Sequence, residues 1–240
     1  MKKVLSLLTV MAVLVLTSCI KEDTSEQPGS IAGMGEAGGE LAVSSAFELP
    51  DGIQIVDDKF AGIEWASEAN ITGLKSVSTW SSFRRGCGIK EGVTIRGKFR
   101  NSFSYSQKVR FPSGTVWSCD DKDYQNAILL KECEIEIPAK GECEFDLFLM
   151  CLNKGYTGSD ATVQYVCKGV TSSSLMLELI GLVKDAFINY EDNCWDHSNG
   201  FDSNWLYQCN QLQGMVHEIT NGGGLLDVDR EYCRTGLRRR

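Results

Sequence analysis

Apolar and polar positions alternate with a period of two over much of residues 47–170, as half-buried strands require. Val93, Ile95, Gly97 and Phe99 share one face of a strand, and Phe103, Tyr105, Gln107, Val109 and Phe111 read as its partner across a turn at Arg100–Ser102. Pro112-Ser113-Gly114 is a turn signal, after which Thr115-Val116-Trp117 restarts a strand. Cys133, Ile135 and Ile137 face inward against Glu134 and Glu136. Beyond the turn Pro138–Gly141, Cys143, Phe145, Leu147, Leu149 and Cys151 face inward against Glu142, Glu144 and Asp146. Val163, Tyr165 and Cys167 add one more short run. Several short strands separated by turns predict an antiparallel β-sandwich.

After residue 170 the period lengthens to that of a helix. Ser172–Ser174 offers a cap, and Leu175, Leu179, Leu182, Val183, Ala186 and Phe187 recur at helical spacing. A polar loop over Asn189–Asp202 separates it from a second amphipathic stretch carrying Trp205, Cys209, Leu212, Val216 and Ile219. Asn221-Gly222-Gly223-Gly224 closes that stretch as a left-handed cap requires. Asp227 is a cap for a short last helix over Val228–Thr235. The predicted class is mainly β with α: a sandwich over 47–170 followed by two or three C-terminal helices over 171–235.

The N-terminus follows a different rule. Lys2 and Lys3 precede a nearly all-apolar run from Val4 to Leu16, too short to span a bilayer, and Leu16-Thr17-Ser18-Cys19 follows. This order resembles the lipobox of bacterial lipoproteins, in which the cysteine becomes the lipidated first residue of the mature chain. The resemblance implies a signal peptide over 1–18 and lipidation, typically including palmitate, at Cys19. It also implies an outer-membrane address in the cell envelope, with Glu22 and Asp23 similar to the surface-export signal of Bacteroides-group lipoproteins. Residues 19–46, rich in Gly, Ser and Glu, read as a flexible tether, and 47–240 as one extracytoplasmic domain.

Charge and sulfur sharpen this picture. The chain carries a formal charge of −8, and removing the two leader lysines makes the remainder more acidic, which disfavours nucleic acid as a partner. The arginines of the tail (Arg234, Arg238, Arg239 and Arg240) read as a solvated, frayed end. Of ten cysteines, lipidation of Cys19 leaves Cys87, Cys119, Cys133, Cys143, Cys151, Cys167, Cys194, Cys209 and Cys233. In an oxidising compartment these predict disulfide staples, with at least one thiol left over; no pairing follows from spacing. No Cys-x-x-Cys pair occurs, which argues against zinc and thioredoxin-like chemistry.

No cofactor or metal motif is present, nor a Gly-x-Ser-x-Gly, His-Glu-x-x-His, P-loop or Gly-x-Gly-x-x-Gly pattern. With His197 and His217 the only histidines, a Cys-dependent hydrolase using Cys151 or Cys209 ranks third among functions. Acid clusters at Asp57-Asp58, Asp120-Asp121, Glu191-Asp192 and Asp227–Glu231 read as solvated faces, and most of the five tryptophans as core.

One pattern is more specific. Phe148-Leu149-Met150-Cys151-Leu152-Asn153 ends a strand in a cysteine, and Leu212-Gln213-Gly214-Met215-Val216-His217 follows on a helix. This resembles the thioester domains of bacterial surface adhesins, whose cysteine and glutamine side chains condense into an internal thioester that captures amines. The resemblance assigns Cys151 as thiol partner and Gln213 as acyl partner. His217 stands where that family carries an aromatic or Leu, and no Thr-Gln pair occurs. The expected function is therefore surface binding or adhesion toward a protein or glycan ligand. The alternative is a structural or assembly subunit of an envelope complex or appendage.

Overall fold

A computed structural model describes residues 26–65, 84–193 and 201–239. The leader, Cys19, Trp80, Cys194, Trp195, His197 and Arg240 lie outside the described residues.

The class is mainly β with helices, and the strands close on themselves. β5 (Val93–Asn101) pairs with β3 (Phe60–Ile63) on one side and β10 (Glu142–Cys151) on the other. From β3 the ladder runs through β11 (Gln164–Thr171), β7 (Thr115–Cys119) and β8 (Ala127–Ile128) back to β10. This antiparallel, barrel-like ring replaces the expected sandwich. Both architectures alternate inward and outward residues, so period alone does not separate them; the β5–β10 and β8–β10 pairings do. Three short strands extend the ring: β1 (Val43–Ala46) on β11, β2 (Ile53–Ile55) on β5, and β4 (Arg84–Gly86) parallel to β10.

The hairpin expected between 93–99 and 103–111 does not form. β6 (Gln107–Phe111) instead pairs with β9 (Cys133–Ile137) as a separate two-stranded sheet. Asn101 makes the difference. Buried at the end of β5, it donates through Nδ2 to the carbonyls of Tyr105 (2.8 Å) and Ile137 (3.3 Å) and accepts the amide of Phe103 (2.9 Å). These bonds carry the chain away from β5.

The inward set of β10 (Cys143, Phe145, Leu147, Leu149 and Cys151) joins Phe60, Phe99, Phe111 and Trp117 in the barrel interior. Gly97 belongs to this packing: a Cβ there would lie 2.4 Å from the Phe145 ring and 2.8 Å from that of Phe60. The outer face of β10 is polar as far as Asp146, which holds Arg96 at 2.7 Å, then turns apolar at Phe148 and Met150. The helices cover that apolar half.

α1 (Ser174–Val183) is capped by Ser173, as its sequence predicts, and buries Met176, Leu179, Ile180 and Val183. α2 (Tyr190–Asn193) interrupts the expected polar loop and buries Tyr190. α3 (Ser203–Asn221) starts at an Asp202 cap and buries Trp205, Cys209, Leu212, Gln213, Met215, Val216 and Ile219. Gly222 at its end is extended, and Gly224 (φ 90°) supplies the left-handed turn. The last helix is α4 (Asp227–Glu231), continued by a π-helical turn over Tyr232–Gly236.

Both ends of the described chain are docked. Ile31, Met34 and Leu41, expected within the tether, are buried in the helical core. Glu26 accepts from the hydroxyls of Ser173 (2.8 Å) and Ser174 (3.1 Å) and from the Leu175 amide (3.1 Å), adding a carboxylate to the start of α1. At the other end, Leu237 is buried and Arg239 donates to the Leu182 carbonyl at 2.7 Å. Arg238 accepts the Phe187 amide through its own carbonyl. The tail is therefore pinned to the Leu182 carbonyl in the last turn of α1 and to the Phe187 amide beyond it rather than frayed.

Candidate functional site

Cys151 and Gln213, 62 residues apart, are brought together. The Cys151 amide donates to Gln213 Oε1 at 2.8 Å, and Gln213 Nε2 donates to the Cys151 carbonyl at 2.9 Å. The second hydrogen on Nε2 faces His217 Nε2 at 3.0 Å. That ring nitrogen must then accept, which requires the neutral imidazole protonated on Nδ1. Burial, and secondarily Lys154, lowers the His217 pKa and favours this neutral form.

The contact is with the main chain of Cys151; its thiol takes another direction. Cys151 packs with the barrel-interior set, and its sulfur receives a backbone bond from Val93. Burial pushes this thiol up to about 12. Burial likewise raises Cys143 and Cys233 to about 11, and shifts Cys87, Cys119, Cys133 and Cys167 upward. Such thiols stay protonated at neutral pH and are weak nucleophiles. Among the described residues no cysteine is joined in a disulfide in this structure, which leaves the expected staples without support there.

Of the acid clusters, Asp57 and Asp58 are exposed, while Asp120 accepts the Gln164 amide at 2.9 Å and lies 4.0 Å from Lys59. Asp227 lies 3.6 Å from Arg230. Glu191 departs from the solvated reading. Its Oε2 accepts the Gly86 amide at 3.0 Å and its Oε1 the Asn189 side-chain amide at 3.2 Å. Burial is the main cause that pushes its pKa up to about 7. Among the tryptophans, Trp117 and Trp205 are fully buried, and Trp65 packs 4.8 Å from Phe148 and Phe201.

Glu191 lines a cleft of about 490 Å³ together with Arg85, Arg110, Lys131, Glu132, Cys133, Glu134, Asn189 and Asp192. Lys131 is held by Asp192 (2.8 Å) and the Ala186 carbonyl (2.6 Å), and Arg110 by Glu132. Asn189 is 2% exposed; its Nδ2 donates to the Glu132 carbonyl at 3.0 Å, but its Oδ1 is buried with no partner. A buried acceptor without a donor is costly, which draws attention to this wall of the cleft. Sequence reasoning missed it, because Glu191 and Asn189 resemble ordinary loop residues until Gly86 and Glu132 are placed against them. Among the described residues, no group of three or more His, Cys, Asp or Glu is arranged to hold a metal ion.

No protein-family profile, curated protein or solved structure matches this chain.

Proposed function

We propose that the chain is a cell-envelope lipoprotein, anchored through Cys19, whose folded part binds an uncharged, hydroxyl-rich ligand such as a glycan at the cell surface. The observation that carries the binding reading is the unpartnered Asn189 Oδ1 in the wall of the Glu191 cleft. That atom is enclosed in this structure, so a ligand hydroxyl donates to it only once the cleft wall shifts to admit it, and the bond then removes the cost of leaving the atom bare. Charge balance selects the ligand class. Arg85, Arg110 and Lys131 offset Glu132, Glu134 and Asp192, and Glu191 is about half neutral at pH 7. A cleft so nearly balanced gives an ion little net attraction. The test is calorimetric titration of the mature chain with a panel of soluble oligosaccharides. One saturable partner is expected, weakened at least about tenfold in Asn189→Ala, the penalty of an unpaired buried group. Silence across the panel, or identical affinity in the variant, rejects the cleft.

The Gln213–Cys151 contact favours a second, covalent version of surface binding. In it Cys151 Sγ attacks the Gln213 side-chain carbonyl carbon, ammonia leaves, and the resulting thioester acylates an incoming amine with release of the thiol. Forming that bond requires the sulfur to turn out of the barrel interior, and Nε2 to leave the Cys151 carbonyl and His217. Intact mass decides it: a thioester lowers the mature chain by one ammonia, beyond the hydrogens lost to disulfides. A full-mass chain rejects the covalent version and leaves reversible binding standing. Stable co-purification with other envelope proteins would instead favour an assembly subunit.

A further inference from the structure

We propose that Cys87 and Cys209 are joined by a disulfide in the mature protein, and that this cross-link fastens the long helix α3 to the barrel wall. Their sulfurs lie 2.9 Å apart, and the two residues are 1% and 0% exposed. Cys87 directly follows β4, whose Gly86 is held by Glu191, and Cys209 lies on the buried face of α3. Both belong to the core that packs the helices on the barrel. Other described thiols meet different groups: Cys233 faces the Met215 thioether at 3.6 Å, and Cys143 the Glu144 carbonyl at 3.8 Å. Spacing could not choose among the possible pairings, whereas the fold brings these two sulfurs together across 122 residues.

The chemistry is a two-electron oxidation. The two thiols give up two protons and two electrons, and an S–S bond forms. A protein or small-molecule disulfide accepts them and is reduced to two thiols, by exchange through a mixed disulfide. Because both sulfurs end fully enclosed, the exchange takes place while the chain folds. The cross-link then holds the helix one turn from Gln213, keeping its amide against Cys151. It also leaves Cys151 outside the bridge. The proposal rests on the export reading, since the cross-link needs an oxidising compartment.

The full chain is extracted from its native membrane with N-ethylmaleimide present from lysis, digested without reductant and mapped by mass spectrometry. The expected product is one cross-linked peptide pair containing Cys87 and Cys209. Alkylation of both residues, or linkage of either to another cysteine such as Cys194, overturns the proposal. A parallel arm refolds the reduced chain in a glutathione redox buffer. If the pair forms there but both thiols are alkylated in the native sample, the export reading has failed and the juxtaposition stands; if it forms in neither, the juxtaposition has failed. Reductant should lower the melting midpoint of the oxidised wild type by roughly 5–15 °C. It should leave that of the Cys87→Ser/Cys209→Ser double variant unmoved.

Discussion

Gln213 stands in for a strand at Cys151. β5 enters the sheet only at Val93, opposite Leu149, so the last residue of β10 has no strand neighbour on the edge away from β8. The glutamine amide supplies the missing acceptor and donor. Replacing it by alanine leaves a buried N–H and C=O unpaired, at about 1–3 kcal/mol each. Urea unfolding of Gln213→Ala should show a loss of about 2–4 kcal/mol. A loss under about 0.5 kcal/mol, the size of an ordinary surface change, shows that the pairing contributes nothing.

Glu191 should make stability fall as pH rises. Its folded pKa of about 7 lies above its ordinary value of 4.5. Between those values the folded chain keeps a proton that the unfolded chain has released. The contribution is complete below pH 4.5 and is lost as pH climbs through about 7, by about 3 kcal/mol in all. The difference between wild-type and Glu191→Gln unfolding curves from pH 4 to 8 should show this slope. A flat difference means the carboxyl is not enclosed.

His217 acts in the opposite sense. Its folded pKa is lowered, so its contribution is complete above its ordinary 6.5 and is lost as pH falls through the folded value. Protonation also removes the acceptor facing Gln213 Nε2. An NMR titration of the imidazole should place its midpoint below 6.5. A midpoint at or above 6.5 contradicts the Gln213–His217 contact.

Glu26 ties the N-terminal segment to α1. Removing its carboxylate in Glu26→Ala should cost about 1–2 kcal/mol, in the range of a lost cap with charge-assisted bonds. Residues 26–41 should then be cut faster by added protease than in wild type. Equal cutting rates would show that Ile31, Met34 and Leu41 hold the segment without help.

Cys19→Ala tests the anchor. The variant should move from the membrane to the soluble or unprocessed fraction. Unchanged membrane retention removes lipidation at this position.

How much the sequence revealed depends on how local the determinant was. The inward faces of β9 and β10 were legible because alternation is a property of neighbours. The outer face of β10 turns from Asp146 to the apolar Phe148 and Met150, a change the inward alternation does not reveal, and nothing nearby says which helices cover it. Barrel closure depends on β8, two residues long and too short to carry a period. The β6 partner was misassigned because a single buried side chain, Asn101, redirects the chain. At the candidate sites, Cys151 and Gln213 were named through the resemblance to thioester domains, and the glutamine side chain does reach the main chain of the cysteine. Their contact through the main chain, with the thiol on the barrel side, follows from strand facing. Glu191 was illegible, because its burial comes from Gly86, 105 residues earlier.

The docking of Glu26 onto the start of α1 sets a leash length. Only seven peptide steps separate it from Cys19, and a fully stretched chain of that length reaches about 25 Å. If Cys19 carries a lipid, as proposed, that span holds the start of α1 within about 25 Å of the bilayer surface, so the body can neither swing far out nor turn freely.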